Sequence, residues 1–140
     1  MDYKQKWHSD NEWLLLDILC FVNTVHNKDC YLIIGVADNS DIIGLNENSP
    51  NRKNQADVLD LLPNSMFAGD CVPEVSVKTI FISGKEIDIF TVFNSYNVPF
   101  YLRAKSKKYH SIVEGYIYSK KSDRNTHISE NSSIQQIELR

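Results

Sequence analysis

The sequence predicts an α+β domain, in which a mixed, mainly antiparallel sheet covers a buried central helix and a second helix packs on it. Three observations lead to this class. A long apolar stretch follows a helix-start signal, an unbroken apolar run is typical of a buried strand, and two alternating stretches are joined by a two-residue turn. Helices and strands that do not alternate as βαβ units are typical of α+β folds.

The central helix is predicted to begin at Ser9-Asp10-Asn11-Glu12, which has the S-x-x-E spacing of a capping box. Residues 13–25 are mostly apolar, and Asp17 is their only charge. Leaving such a surface in water would forfeit roughly 1.5 to 3 kcal/mol for each large side chain. We therefore expect a buried helix covered by a sheet, which ends at Asn23-Thr24 because Asn tolerates the left-handed conformation found at helix ends.

The remaining elements follow from apolar periodicity and turn residues. A second, amphipathic helix is predicted over residues 50–62, with Ser49 as its N-cap and Pro50 in its first position. The first predicted hairpin joins residues 31–36 and 41–45, and the second joins residues 74–82 and 85–93 around Ser83-Gly84. Two later strands are predicted at 100–104 and 112–119, so the domain is expected to span residues 1–119, with 120–140 a C-terminal tail or the start of a following segment.

Composition excludes several classes of protein. No apolar run reaches the roughly 20 residues of a membrane span, and the N-terminus does not resemble a signal peptide, so a cytoplasmic location is expected. Three cysteines without C-x-x-C spacing indicate neither a disulfide framework nor a zinc ribbon. The absence of a G-x-x-x-x-G-K-[ST] loop gives no support for ATP binding.

Positive charge is concentrated near the C-terminus. Residues 1–99 carry 7 Lys/Arg and 14 Asp/Glu, whereas residues 100–140 carry 8 and 4. Interleaved tyrosines would let such a surface stack bases while the cations neutralise phosphates, although lysines on edge strands also serve to block aggregation. The predicted nucleic-acid contacts are Arg103, Lys105, Lys107, Lys108, Lys120, Lys121 and Arg124, together with Arg52 and Lys53 in the first turn of the second helix.

Several short motifs resemble, in order and spacing, those of the Schlafen AlbA_2 domain family. The family pattern is approximately E-F-K, A-F-A-N-T, I-G-V-x-D, I-x-G and G-x-I-Y-x-R-x-G. This chain has Asp2-Tyr3-Lys4, Cys20-Phe21-Val22-Asn23-Thr24, Ile34-Gly35-Val36-Ala37-Asp38, Ile42-Ile43-Gly44 and Gly115-Tyr116-Ile117-Tyr118, with Lys120 where the family has Arg.

The resemblance implies a module that binds DNA or tRNA-like RNA without a cofactor. It also implies that the module belongs to a bacterial regulatory protein, such as a transcription regulator, or to a bacterial defence protein. A related domain of animal Schlafen proteins is a metal-dependent ribonuclease. By that analogy Asp2, Lys4 and Asp38 are catalytic candidates, with Asp2 and Asp38 as ligands of Mg²⁺ or Mn²⁺. A third alternative is a non-catalytic interaction module, for example one that forms a homodimer.

Overall fold

A computed structural model of the chain describes residues 2–24, 28–63, 66–95, 99–104, 109, 111–121 and 124–128. Neither helix in these ranges combines the length and the apolar character that crossing a bilayer requires. A short 3-10 helix spans Ala68–Asp70. The helices and strands are β1 (Asp2–Lys4), α1 (Asn11–Asn23), β2 (Cys30–Ile34), α2 (Gln55–Leu59), β3 (Val75–Ile82), β4 (Lys85–Val92), β5 (Ile117–Lys121) and β6 (Arg124–Ile128).

Four strands form one sheet in the order β1-β2-β4-β3, and β5 and β6 form a separate hairpin. The strands β1 and β2 are parallel, whereas β2 with β4 and β3 with β4 are antiparallel. The four-stranded sheet is therefore mixed and mainly antiparallel. Together with the two helices, it confirms the α+β class predicted from the sequence.

The sheet has an inner face that packs on α1 and an outer face on the other side. Residues opposite each other in the register share a face, so Leu32 and Phe90 lie together on the inner face. Both belong to the main hydrophobic core, which also contains Leu14, Leu15 and Ile18 of α1. The prediction of a buried central helix is confirmed, because α1 is buried along most of its length.

The start of α1 differs from the prediction by one residue. Asp10, rather than Ser9, is the N-cap, and its side chain accepts a hydrogen bond from the Glu12 N–H at 2.9 Å. The Glu12 carboxylate does not close a capping box, because it accepts from the Ser111 N–H at 2.7 Å instead. Trp13, which follows, is 58% exposed although it belongs to the apolar run.

The predicted helix over residues 50–62 is wrong in its boundaries, because α2 spans only Gln55–Leu59. Its N-cap is Asn54, which forms a capping box with Asp57. The Ser49 hydroxyl accepts from the Asn46 N–H at 2.9 Å, and Asn51 has a φ of 59°, so a turn occupies the expected first helical turn. Arg52 and Lys53 therefore precede the helix and do not lie within it.

The second predicted hairpin is confirmed, and the first is not. Strands β3 and β4 pair along their whole length around Ser83 and Gly84, both of which have positive φ. Between residues 31–36 and 41–45, the structure has only an isolated bridge, Val36↔Ile42. The chain leaves β2 at Gly35, whose φ of 106° suits glycine and where an added Cβ would lie 3.2 Å from the Leu45 side chain.

The C-terminal strands also differ from the prediction. In the segment 100–104 only Leu102 pairs, in a single bridge to Phe67. The strand expected at 112–119 begins later, at Ile117, and continues to Lys121, where it turns into β6. The hairpin continues past residue 119, and the boundary that the sequence predicts there between the domain and a tail stays a prediction. Backbone pairing with β6 extends the strand through the polar residues Ser119, Lys120 and Lys121, which have no apolar alternation.

Candidate nucleic-acid interface

Three of the predicted nucleic-acid contacts lie at one end of the β5–β6 hairpin. In the backbone register Lys121 pairs with Arg124, and Lys120 pairs with Asn125. The Cα atoms of directly opposed residues in antiparallel strands are about 4.5–5.5 Å apart. The hairpin therefore brings Lys120, Lys121 and Arg124 into one short stretch of backbone. The other basic residues of the predicted patch, Lys105, Lys107 and Lys108, lie outside the described residues.

Asn23 positions the start of this hairpin from the last turn of α1. Its side-chain amide donates to the carbonyl oxygens of Phe100 at 2.8 Å and Tyr118 at 3.1 Å, and its oxygen accepts from the Phe100 N–H at 2.7 Å. Asn23 is buried and helical, and the residue after it, Thr24, is extended. The interpretation of Asn23 as a left-handed helix terminator is wrong, because its amide instead joins α1 to β5 and to the segment 99–104.

Arg103 forms hydrogen bonds and an ion pair within the protein. Its guanidinium donates from Nε to the Phe67 carbonyl at 2.8 Å and from Nη2 to the Asp70 carboxylate at 2.5 Å. The Arg103 N–H also donates to the Met66 carbonyl at 3.1 Å. Asp70 forms an ion pair with this cation, and both side chains are exposed, so phosphate binding by Arg103 stays a prediction.

Arg52 also binds protein carboxylates. Its guanidinium donates two hydrogen bonds to Asp88, from Nε and Nη2, both at 3.0 Å, and a third to Glu86 at 3.3 Å. The hydrogen bonds that Arg52 donates to Asp88 are the main reason why the pKa of Arg52 is raised. Among the described residues, the partner of the Lys53 ammonium is the Asn51 carbonyl, at 3.5 Å. Arg52 and Lys53 are the two residues before α2 that were predicted to bind phosphate. Of these, Arg52 is ion-paired within the protein.

Asp88 is the centre of a buried polar cluster that the sequence analysis did not predict. It lies on the inner face of β4 and is 1% exposed. Besides Arg52, it accepts from Trp7 Nε1 at 2.8 Å and from the Thr79 hydroxyl at 2.7 Å. Burial alone would raise the pKa of Asp88, but the hydrogen bonds from Arg52, Thr79 and Trp7 outweigh burial and lower it. The signal in the sequence was that Asp88 shares its strand face with Phe90 and Val92, because alternate residues of a strand lie on the same face.

The lowered pKa predicts how stability changes in acid. A carboxyl group whose folded-state pKa lies below its unfolded value stabilises the fold above the unfolded pKa and loses this effect as pH falls through the folded one. We expect the difference in unfolding free energy between the wild type and Asp88→Asn, measured by urea denaturation, to shrink from about pH 5 to pH 2. A difference that stays constant over this range would contradict the assignment.

The catalytic candidates are distributed along β1 and the turn after β2. Asp2 lies opposite Leu32 and Lys4 opposite Ile34, so Lys4 is the nearer of the two to the turn after β2. The Lys4 carbonyl accepts from the N–H groups of Gly35 at 2.7 Å and Val36 at 3.1 Å. Asp38 is exposed in a turn that the Ser40 N–H closes on the Ala37 carbonyl at 2.8 Å.

These placements bear on the metal site that the family analogy implies. In the part of the chain that the structure describes, no three His, Cys, Asp or Glu side chains come close enough together to hold a metal ion. The catalytic roles of Asp2, Lys4 and Asp38 stay predictions.

The fold and the site define an α+β domain with a mixed sheet on a buried helix and a basic hairpin at its C-terminal end. The chain belongs to the Schlafen, AlbA_2 family, whose family model matches residues 1–129. This match confirms the resemblance that the short motifs indicated.

A solved structure shares the fold. The crystal structure of the DIP2311 protein from Corynebacterium diphtheriae has a TM-score of 0.57 to this chain at 13% sequence identity. The alignment covers 96% of this chain and 22% of that one, so the chain spans about a fifth of the length of its structural relative. At this identity the likeness shows the fold alone. A comparison with curated proteins found no match.

Proposed function

We propose that the chain is a nucleic-acid-binding module that binds the phosphates of DNA or tRNA-like RNA through its basic C-terminal residues. The module belongs to a regulatory protein, such as a transcription regulator, or to a defence protein. Membership of the Schlafen, AlbA_2 family supports this class of function. The observation that carries the proposal is the register of the β5–β6 hairpin, which gathers Lys120, Lys121 and Arg124. The cytoplasmic location expected from the sequence stays a prediction.

The distribution of charge along the chain also supports the basic C-terminal region as the nucleic-acid interface. The whole chain has a formal net charge of -3, so its affinity for a polyanion must come from a local concentration of cations. Arg52 and Arg103 contribute least, because each is paired with carboxylates of the protein. The proposed phosphate contacts are therefore the hairpin cations, together with Lys105, Lys107 and Lys108, which lie outside the described residues.

Fluorescence polarisation with labelled tRNA and labelled duplex DNA at low salt tests this proposal. We expect Lys120→Gln/Lys121→Gln to weaken binding by about tenfold or more, because each lost phosphate contact removes its share of counterion release. Lys6→Gln/Lys28→Gln is the matched control, since it removes the same charge from two exposed lysines elsewhere and should change binding little.

Two results would contradict the proposal. One is a wild-type chain that binds neither ligand at low salt, as a pure dimerisation or interaction module would behave. The other is an equal loss of affinity in the hairpin variant and the control. Parallel reactions in EDTA and in Mn²⁺ address the ribonuclease alternative, which predicts cleavage of tRNA that EDTA abolishes and that is lost in Asp2→Ala.

A further inference from the structure

The outer face of the four-stranded sheet differs in charge from the inner face. All residues of these four strands are described, and the register assigns each of them to one face. The inner face includes three carboxylates, Asp2, Glu86 and Asp88. The outer face has no carboxylate and two lysines. Its members are Tyr3, Tyr31, Ile33, Ser76, Lys78, Ile80, Ile82, Lys85, Ile87, Ile89 and Thr91. Ile87 and Thr91 are buried, and the other members are half-buried or exposed.

Two tyrosines lie next to each other on this face and are accessible. Tyr3 is 36% exposed and Tyr31 is 40% exposed. Tyr3 pairs with Ile33, and Tyr31 lies two residues before Ile33 on the same strand. With strands about 4.8 Å apart and about 3.3 Å per residue, the two Cα atoms are about 8 Å apart. The rings are thus on adjacent strands and can each contact a different group of one ligand.

A row of register partners runs from Tyr3 across the whole sheet. Ile33 is opposite both Tyr3 and Ile89, and Ile89 is opposite Lys78. Ile33 and Ile89 are half-buried, whereas Lys78 is exposed at the edge strand β3. The row therefore presents an aromatic ring, an apolar floor and a cation. These are the components of a surface on which bases stack while a phosphate meets the lysine.

We propose that the outer face of the sheet binds unpaired bases of a single-stranded nucleic acid, which stack on Tyr3 and Tyr31. This inference rests on the proposed function and extends it to a second surface. The strand residues of this face include no carboxylate that would repel a phosphate backbone. Open four-stranded sheets with exposed aromatic residues stack bases in this way.

The ligand is a single strand because stacking on a tyrosine needs a free base surface. In a duplex the bases stack on each other, and their edges rather than their faces are accessible in the grooves. A duplex is therefore expected to interact with the basic hairpin but not with the two tyrosines. This difference separates the outer face from the hairpin in an experiment.

The test measures binding of a labelled oligodeoxythymidylate, and of the same strand paired with oligodeoxyadenylate, by fluorescence polarisation. We expect Tyr3→Ala and Tyr31→Ala each to weaken single-strand binding by roughly 5- to 150-fold, and duplex binding by less than about twofold. Tyr3→Phe and Tyr31→Phe should retain binding within about twofold, because phenylalanine keeps the ring that stacks. Phe81→Ala is the matched control, since Phe81 is 71% exposed on β3 but belongs to the inner face, and it should have no effect.

The outcomes separate this inference from the proposed function. Wild-type affinity for the single strand in both alanine variants would overturn the stacking proposal and leave the hairpin proposal standing. Binding that survives Lys120→Gln/Lys121→Gln but is lost in Tyr3→Ala would support stacking and contradict the hairpin. A wild-type chain that binds neither probe would overturn both. Sedimentation measures self-association of the same variants. If the alanine variants lose self-association but keep their affinity for the single strand, the face binds a second copy of the chain and the stacking proposal is overturned.

Discussion

Replacing Asp88 by alanine is expected to lower the free energy of unfolding by about 3–5 kcal/mol, which is the usual cost of removing one partner from a buried ion pair. Asp88 receives hydrogen bonds from Arg52, Thr79 and Trp7, and its side chain is almost fully buried. The variant leaves the Arg52 guanidinium without its main partner and the Trp7 indole N–H without an acceptor. Because a domain of this size is stable by only about 5–15 kcal/mol, this is a large fraction of its stability.

Urea denaturation followed by far-UV circular dichroism measures this effect. Glu86→Ala is the control, since Glu86 binds the same arginine but its side chain is 34% exposed. Exposed ion pairs contribute about 0.2–1 kcal/mol, and we expect a loss in that range for Glu86→Ala. Equal losses in the two variants would mean that Asp88 is not the centre of the cluster.

Asn23→Ala is expected to cost about 2–4 kcal/mol of stability, since each buried polar group deprived of its partner costs about 1–3 kcal/mol. The variant removes the amide that pairs with the Phe100 N–H and with the carbonyls of Phe100 and Tyr118. These bonds hold β5 and the segment before it on the end of α1. We therefore also expect weaker nucleic-acid binding, because the basic hairpin begins at β5.

The control for Asn23 is Asn48→Ala, the same substitution at an exposed position, which should change stability by less than about 0.5 kcal/mol. Asn23→Asp gives a second comparison, because aspartate can accept from the Phe100 N–H but cannot donate to the two carbonyls. A stable Asn23→Ala protein with wild-type binding would show that β5 is held by its apolar contacts alone.

Local patterns predicted the elements that local chemistry determines. The apolar run of α1 required burial whatever covered it, and the alternation on either side of Ser83-Gly84 specified the β3–β4 hairpin. The class of the fold followed from these two elements and the buried strand β2. The short motifs, each weak alone, indicated the family because their order extends over nearly the whole chain.

Features that depend on distant residues were not predictable in this way. The contacts of Asn23 were not foreseen, because its partners, Phe100 and Tyr118, lie 77 and 95 residues away in the sequence. Asn23 was interpreted as a helix terminator from its local position alone. The ion pair of Arg52 was not foreseen either, because its partner Asp88 lies on β4, 36 residues later. Arg52 was interpreted as a phosphate ligand from its predicted place in the first turn of a helix. The sequence alone does not show whether a phosphate or a protein carboxylate neutralises a given cation. The predicted α2 was too long because Pro50 after a serine fits a helix start and a turn equally well.

The salt dependence of nucleic-acid binding tests the central claim most directly, that cations of the β5–β6 hairpin bind phosphates. The measurement is the affinity for labelled duplex DNA as a function of salt concentration, for the wild type and for Lys120→Gln/Lys121→Gln/Arg124→Gln. We predict a linear fall of log affinity with log salt, with a slope that is about 2–3 smaller in magnitude in the triple variant, since each duplex phosphate contact contributes about 0.9. Equal slopes for the two proteins would contradict the claim.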